Sequence, residues 1–561
     1  MKLWPRNTYG NLKRVKEILG VFIKYGFYNQ LNQLGLLKHL RVHPVRKNLS
    51  NDKDHLARGQ RVRMALEELG TTFIKFGQIL STRRDLLPAD IIVELENLQD
   101  DVAPISFEMI KKIIEEELQG ELQDLFWNFE KKPLATASIA QVHEAQLKDG
   151  KRVVVKIQRP EIEKNISSDI GILEEVASFL DHRTKYSKLY DFTALARDFK
   201  ESLYKELDFH NEARNINIFR KNFKNNKNIF FPLVYEEYTT EKILTMEYIQ
   251  GNALRDIESS GGKNFNPVII AERLTTSILE QILRDGFFHG DPHPGNIRVL
   301  SENRIVFLDM GIVGQLGEKK REQFFRMIVG ITLRNSKLMV QAISEIGTMG
   351  ESIDFKRLEK EIDRMKDQYL EVPLKEIQIG KVLNEIFLLA FQYHITIPNE
   401  FAMLVKTLII LEGLVAKLDP SLNIVEIAQP ITQKLLLDIY SPKKLAKDMG
   451  GSILDYAKLF RELPGSFLNI LNKFDKKETQ IVVHLKNEEK IIKTINKMAN
   501  QLSFSVALLA LSIVISGFIV GMSLQGNAFN IIGINFVKIG LMASVAMGLW
   551  LIVSIIRTGR F

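Results

Sequence analysis

The chain has 561 residues, 45% hydrophobic and 26% charged, with no cysteine and a formal net charge of +8. That length allows roughly two to four domains at about 150 residues each and an ample core, and the missing cysteines exclude disulfides and thiolate metal sites. The charge is uneven, because the first 60 residues hold twelve Lys or Arg against three Asp or Glu, so one end of the chain is basic.

Within that end, taken as region 1–59, Leu12, Val15, Ile18, Leu19, Phe22, Ile23 and Phe27 recur at helical spacing with Lys13, Arg14, Lys16 and Lys24 between them. The pattern predicts a basic amphipathic helix that either packs on the main domain or lies on an anionic membrane surface. Its apolar run is too short for a signal-peptide core, so secretion is not expected. A nucleic-acid partner is not expected either, since no stacking platform or recognition motif accompanies the charge.

Region 60–132 carries a second helical pattern from Gln60 to Leu80 through Met64, Leu69, Phe73 and Ile74, and contains Lys75-Phe76-Gly77-Gln78. On the residues alone, Lys75 and Gln78 read as exposed helix positions. Region 133–251 reads as a small lobe. An Asp149-Gly150 turn joins an upstream strand to Arg152-Val153-Val154-Val155-Lys156-Ile157, the sequence form of a hairpin.

In kinases the loop before such a hairpin approaches phosphate with its amides, and the strand lysine pairs with the α- and β-phosphates. That makes Ala135, Thr136, Ala137, Ser138, Ile139, Ala140, Gln141, Val142, His143 and Lys156 the candidate nucleotide-binding residues. The loop has alanines where glycines are expected, which narrows its backbone freedom. The lysine's helix partner should be a glutamate, and Lys205-Glu206-Leu207-Asp208-Phe209-His210-Asn211-Glu212 offers two. The residues alone leave the choice between Glu206 and Glu212 as the partner of Lys156 open. Phe231–Tyr235 and Ile243–Gly251 read as strands leading to a hinge, near which Ile249 or its neighbours would meet adenine.

Region 252–340, the core of a large lobe, opens with a helical pattern from Pro267 to Arg284 and continues into His289-Gly290-Asp291-Pro292-His293-Pro294-Gly295-Asn296. Thirteen residues after Asn296 come Asp309-Met310-Gly311, preceded by an apolar strand from Arg304 to Leu308. A kinase catalytic loop needs an aspartate near the acceptor hydroxyl, an asparagine five residues on for magnesium, and a second metal-binding aspartate after the next strand. Asp291, Asn296 and Asp309 fill those places. His289, Asp291 and His293 also offer a zinc-ligand alternation, a reading that leaves Asn296 and Asp309 unused. Gly290 stands where many protein kinases have the arginine that receives an activation-loop phosphate, and no Ala-Pro-Glu follows Asp309, so a peptide platform is not expected.

Region 341–500 reads as charged amphipathic helices with nothing recognisably catalytic. In 501–561 the pattern changes, because no charged residue occurs from Met498 to Val537 or from Ile539 to Ile556. Phe504–Gln525 and Ile532–Ile556 are each long enough to cross a bilayer at about 20 residues, with Lys538 snorkelling. Lys490, Lys493 and Lys497 before them, and Arg557 and Arg560 after them, place both ends in the cytoplasm.

The Lys75-Phe76-Gly77-Gln78 segment, followed by Ser81-Thr82-Arg83, Asp85-Leu86-Leu87-Pro88 and Leu98-Gln99-Asp100, resembles the KxGQ signature of the UbiB/AarF-domain family of atypical kinases. The alanine-bearing loop, the ExD motif at Glu206 and Asp208, and the EAxN element at Glu212 are similar to that family too, a resemblance that favours Glu212 as the partner of Lys156 and sets Glu206 toward the Lys75 segment. Met310 replaces its usual phenylalanine. The resemblance implies an α+β, two-lobed protein-kinase-like fold with an N-terminal helical extension and a C-terminal two-helix transmembrane hairpin. It further implies ATP and Mg2+ as cofactors, Asp291, Lys156, Glu212, Lys75 and Gln78 as the catalytic set, and Asn296 and Asp309 as metal ligands. The expected role is ATP hydrolysis in ubiquinone or related isoprenoid-quinone biosynthesis at the inner membrane, with the catalytic domain in the cytoplasm. Expected partners are anionic membrane lipids and isoprenoid-quinone intermediates or the enzymes that make them; the oligomeric state is left open. A small-molecule or lipid kinase and a nucleotide-binding scaffold without turnover are the rival readings.

Overall fold

The Arg152–Gln158 strand puts Val153, Val155 and Ile157, all fully buried, on one face and Val154, Lys156 and Gln158 on the other, the period of two that a strand imposes. In the computed structural model, residues 9–39, 56–82, 87–98, 103–183, 191–260, 265–349, 353–369 and, with two single gaps, 377–431 are described, together with 530–531 and 534–535. The chain divides into two compact units, Met1–Lys447 and Asp448–Phe561.

In the first unit, Arg152–Gln158 pairs antiparallel with Ala140–Leu147 across a turn where Gly150 has φ +87°, and with Ile243–Glu247 on its other side. Phe126–Phe129 and Ala135–Thr136 complete a five-stranded sheet. The Phe107–Leu118 helix covers its back, where Ile110 and Ile114 cluster with Val153, Val155 and Ile157. Residues within 60–132 therefore belong to the sheet as well as to the helical extension.

Phe231–Tyr235 departs from the expected strand. Pro232 has no N–H to donate to a ladder, and the segment makes one bridge, Val234 to Met246. The strand there is Ile229–Phe230, parallel to Arg304–Phe307 in the other lobe. Arg304–Phe307 lies in a four-stranded sheet ordered 229–230, 304–307, 297–300, 252–253. Below it the Pro267–Leu279 helix, capped by the Asn266 side chain on the N–H groups of Val268 and Ile269, runs into a π-helical turn at Glu280–Asp285. Helices Glu318–Thr332, Ser336–Ile346, Phe355–Tyr369, Ile379–Gln392 and Asn399–Leu418 follow. Leu383, Leu404 and Leu411 from the last two share one core with Leu274, Phe288 and Phe307, so helices beyond 341 are part of the large lobe.

In the extension, the helical pattern from Gln60 to Leu80 breaks at Gly70, φ +94°, into Arg58–Leu69 and Thr71–Thr82. Gly77 permits close packing there, because a Cβ would lie 2.3 Å from a Leu98 methyl and 2.8 Å from a Leu66 methyl. The N-terminal helix, Tyr9–Lys24, buries Val15, Ile18 and Leu19 in a cluster with Leu66, Leu69 and Phe73. Arg14 reaches Asp169 at 2.8 Å and Lys24 reaches Glu68 at 2.6 Å. Of the two alternatives for this helix, its apolar face takes the intramolecular one.

Residues 501–561, with both apolar spans, lie outside the described residues, apart from Asn530–Ile531 and Ile534–Asn535, which pair antiparallel. Among the described residues no helix is long and apolar enough to cross a membrane.

Candidate active site

Lys156 stands on the cleft face of its strand because register puts it opposite Val142 and Leu244. Its Nζ lies 2.8 Å from Glu212 Oε2 and 3.8 Å from Asp309 Oδ2. Glu212 belongs to the Phe209–Asn222 helix, whose start is capped by Asp208 accepting from the His210 N–H. Asp208 thus sets the helix, while Glu206, just before it, faces Lys75, with Nζ 2.6 Å from Glu206 Oε1. Each lysine has taken a different glutamate.

These charges form one group. Burial pulls Lys156 down, but Asp309 and Glu212 outweigh it, so the ammonium is held above the ordinary lysine range. Burial pushes Glu212 up in spite of Lys156. Asp309 moves the other way: burial would raise it, but the Lys156 charge and the Gly311 N–H, which donates to Oδ1 at 2.9 Å, hold it below the usual carboxylate range, with a lesser contribution from Lys75. Its carboxylate is 46% exposed, so one edge of this buried cluster opens to solvent. Asn215, one turn after Glu212, donates to the Met310 carbonyl at 2.9 Å and ties that helix to the Asp309 segment.

The second strand of the site is the loop from His289. His289 is buried and its Nδ1 accepts the Asp291 N–H at 3.1 Å, while its own N–H donates to Gln281 Oε1 at 3.0 Å. Burial lowers the imidazole's pKa, and the ring acts as a neutral acceptor that shapes the loop. Asn296 ends a 3-10 turn, Pro294–Asn296, and its carbonyl accepts the Leu308 N–H at 2.9 Å, which holds Asn296 beside the strand end that presents Asp309. Gly290 is required by close approach: a Cβ there would lie 2.7 Å from Met403 Sδ and 2.9 Å from Ile312 Cγ2. No arginine fits.

The alanine-bearing loop is fixed by its carbonyls. Arg159 Nε donates to the Ala137 carbonyl at 2.9 Å, Thr71 Oγ1 to that of Ser138 at 3.3 Å, and the Ala137 N–H to the Ala140 carbonyl at 2.8 Å. Thr71 begins the helix that carries Lys75 and Gln78, so this bond docks the extension on the loop. Gln78 Nε2 donates to the Leu98 carbonyl at 3.4 Å, within the extension. Alternation divides the candidate residues: Ala140 and Val142 share the Lys156 face, whereas Gln141 and His143 turn to the other. There Gln141 Oε1 accepts the Ile105 N–H at 2.7 Å and His143 Nδ1 meets the Glu130 carbonyl at 2.7 Å. Ala135 and Thr136 form the short strand beside Ala140–Leu147, Ile139 is buried, and Ser138 is buried with its hydroxyl unpartnered.

Among the described residues no three His, Cys, Asp or Glu side chains gather as a metal cluster, and with Nδ1 of His289 engaged the zinc alternation lacks support. Magnesium has a different requirement, one or two protein carboxylate or carbonyl oxygens with the rest of its shell from phosphate and water. Asp309, with Oδ1 on a backbone N–H and an open edge, and Asn296 beside it fit that requirement, and the buried, unpartnered Glu212 Oε1 leaves the cleft a free acceptor.

Sequence reasoning missed one side chain. Lys406, on Asn399–Leu418, places Nζ 3.6 Å from Asp291 Oδ1. The signal was present, since Lys406 is the one charged residue between Glu400 and Glu412.

Comparison with known proteins bears on this arrangement. An ABC1 atypical kinase-like domain matches residues 97–343, a UbiB helical domain 362–423, and an ABC1/UbiB kinase-like C-terminal domain 486–557. A probable protein kinase UbiB of Pseudomonas aeruginosa is 37% identical over 78% of this chain and 84% of its own length, and one of Cellvibrio japonicus is 34% identical over 82% and 84%. An uncharacterized protein in the hydrogenase 1 5' region of Clostridium pasteurianum is 33% identical over 97% of this chain and 99% of its own. The solved erythromycin complex of a Mycobacterium tuberculosis protein aligns over 63% of this chain and 90% of its own, with 22% identity and a TM-score of 0.45. With the kinase-like, helical and C-terminal family regions in order along it and UbiB relatives matched over most of their length, the chain belongs to the UbiB/ABC1 family of atypical kinase-like proteins.

Proposed function

We propose that this chain is a membrane-anchored, Mg2+-dependent ATPase built on a kinase-like fold, and that its hydrolysis supports ubiquinone or related isoprenoid-quinone biosynthesis. The observation that carries the reading is the second lysine, Lys75, held 2.6 Å from Glu206 on an extension docked to the nucleotide loop through Thr71. The Lys75 charge also contributes to the cluster around Asp309, which supports a role for the extension at the nucleotide cleft in place of a peptide platform.

In this reading Lys156, oriented by Glu212, binds the α- and β-phosphates, and Asp291 orients the attacking water. Asp309 and Asn296 would hold Mg2+, which neutralises phosphate charge when bound. The alanine-bearing loop receives the phosphates on backbone already fixed by Arg159 and Thr71. Anchoring rests on the uncharged spans of 501–561, and the quinone role on kinship with UbiB proteins.

Product analysis on full-length protein in lipid, given MgATP and an isoprenoid-quinone precursor, tests the reading. Free phosphate without a phosphorylated lipid is expected. A phosphorylated lipid would make the chain a lipid kinase, and the absence of turnover would leave a nucleotide-binding scaffold.

A further inference from the structure

The run from Phe401 to Leu411, apolar but for Thr407, holds a single charge in mid-helix, Lys406, with its side chain 23% exposed. Burying most of a lysine stem and holding its ammonium in one place is costly unless the charge has a fixed partner. That partner is Asp291, 3.6 Å away. Residues three and four apart share a helix face, and the three that share this one all meet the same loop. Met403 is what a Cβ on Gly290 would strike at 2.7 Å, Lys406 meets Asp291, and Thr407 Oγ1 donates to the His289 carbonyl at 3.2 Å. The helix is itself anchored outside the site, by Glu400 to Lys320 at 2.9 Å and by Asn399 to Asp198 at 2.9 Å. The loop between Asp291 and Asn296, Pro292-His293-Pro294-Gly295, offers no lysine or arginine of its own.

We propose that Lys406 is the positioning residue of the catalytic loop, a cation supplied from the Asn399–Leu418 helix that fixes the Asp291 carboxylate toward the reacting water. The inference rests on the reading of Asp291 as the residue that orients that water. In the step concerned, the water oxygen bonds to the terminal phosphorus and the bridging P–O bond breaks with its electron pair leaving on ADP. Asp291 takes a water proton and returns it to solvent. An ion pair made to one oxygen of Asp291 leaves the other oriented for that proton and does not touch the nucleotide's binding contacts, so its loss acts on kcat and spares KM.

The test uses full-length protein in lipid, with phosphate release from MgATP, KM for ATP and melting temperature measured for the parent, Lys406→Met, Lys406→Arg, Asp291→Asn and Asp291→Asn/Lys406→Met. Lys406→Met should lower kcat on the order of tenfold or more, with KM within about twofold of the parent. Lys406→Arg should recover most of that loss, and Lys406→Met should cost nothing further in the Asp291→Asn background, since the two act as a unit. Parental kcat in Lys406→Met, or an additive loss in the double variant, overturns the proposal, as does an equal fall in melting temperature for the Met and Arg variants, which assigns Lys406 to packing. If Asp291→Asn itself turns over like the parent, the reading of Asp291 fails instead and takes this inference with it.

Discussion

Lys156 and Glu212 show why the cleft needs both partners. Their side chains are 13% and 5% exposed, and removing one member of a buried pair strands the other at a cost of about 3–5 kcal/mol, whereas replacing both is often close to neutral. Lys156→Met should therefore lower the melting temperature markedly and abolish stabilisation by MgATP. Lys156→Met/Glu212→Gln should regain stability without regaining nucleotide. Thermal unfolding with and without MgATP checks both, and a double variant as unstable as the single one would show that the pair is not what holds the lobe. A second acid, half-buried, lies away from the cleft. Glu412 accepts the Gly380 N–H at 2.9 Å, capping the Ile379–Gln392 helix, while its other oxygen is buried without a partner, and burial pushes its pKa up from 4.5 to about 7. A raised acid contributes stability that is complete below its unfolded value and lost as pH climbs through its folded one. Glu412→Gln should consequently raise the melting temperature at pH 8 and leave it nearly unchanged at pH 5; equal effects at both would refute the assignment.

At the level of elements, the legible parts were those whose chemistry is local. The Asp149-Gly150 turn, the strand bearing Lys156 and the strand ending at Asp309 are set by neighbours in sequence, and the structure has them where the pattern put them. Gly70 broke the helix read from Gln60 to Leu80, since helical periodicity survives a glycine that the backbone does not. The strand expected at Phe231–Tyr235 failed on Pro232. Which face of the hairpin Gln141 and His143 would occupy depended on the register with Lys156, and that the Asn399–Leu418 helix reaches Asp291 depended on tertiary packing over more than a hundred residues; neither is written in a local pattern. The extension can be tested as an element through Gly77, where an added Cβ would meet Leu98 and Leu66 at 2.3 and 2.8 Å. Gly77→Ala should cost about 1–3 kcal/mol by overpacking and lower phosphate release as the Lys75 helix is displaced. Parental melting and turnover would mean that this contact relaxes without consequence.

For the whole molecule, the two ends of the chain have different surroundings. The basic N-terminal helix buries its apolar face against the extension through Val15, Ile18 and Leu19, leaving Lys13 and Lys16 exposed as charge alone. The membrane anchoring proposed above then rests on the uncharged spans of 501–561. Deleting 501–561 should move the protein from the membrane fraction to the soluble one, whereas Lys13→Glu/Lys16→Glu should not; fractionation at low salt decides, and retention of the shortened chain would return the attachment to the basic helix. What unites the lobes is the charge cluster that Lys156, Glu212 and Asp309 form across the cleft, and Asp309 is the member with an open edge, to which the proposed function assigns Mg2+. The most direct measurement compares Asp309→Asn with the parent in melting temperature with ATP and Mg2+ and in phosphate release. Loss of the Mg2+-dependent stabilisation and of turnover, with the nucleotide-free melting temperature preserved, is the expected result. Stabilisation and turnover equal to the parent's would contradict the reading of this cleft as a magnesium–nucleotide site.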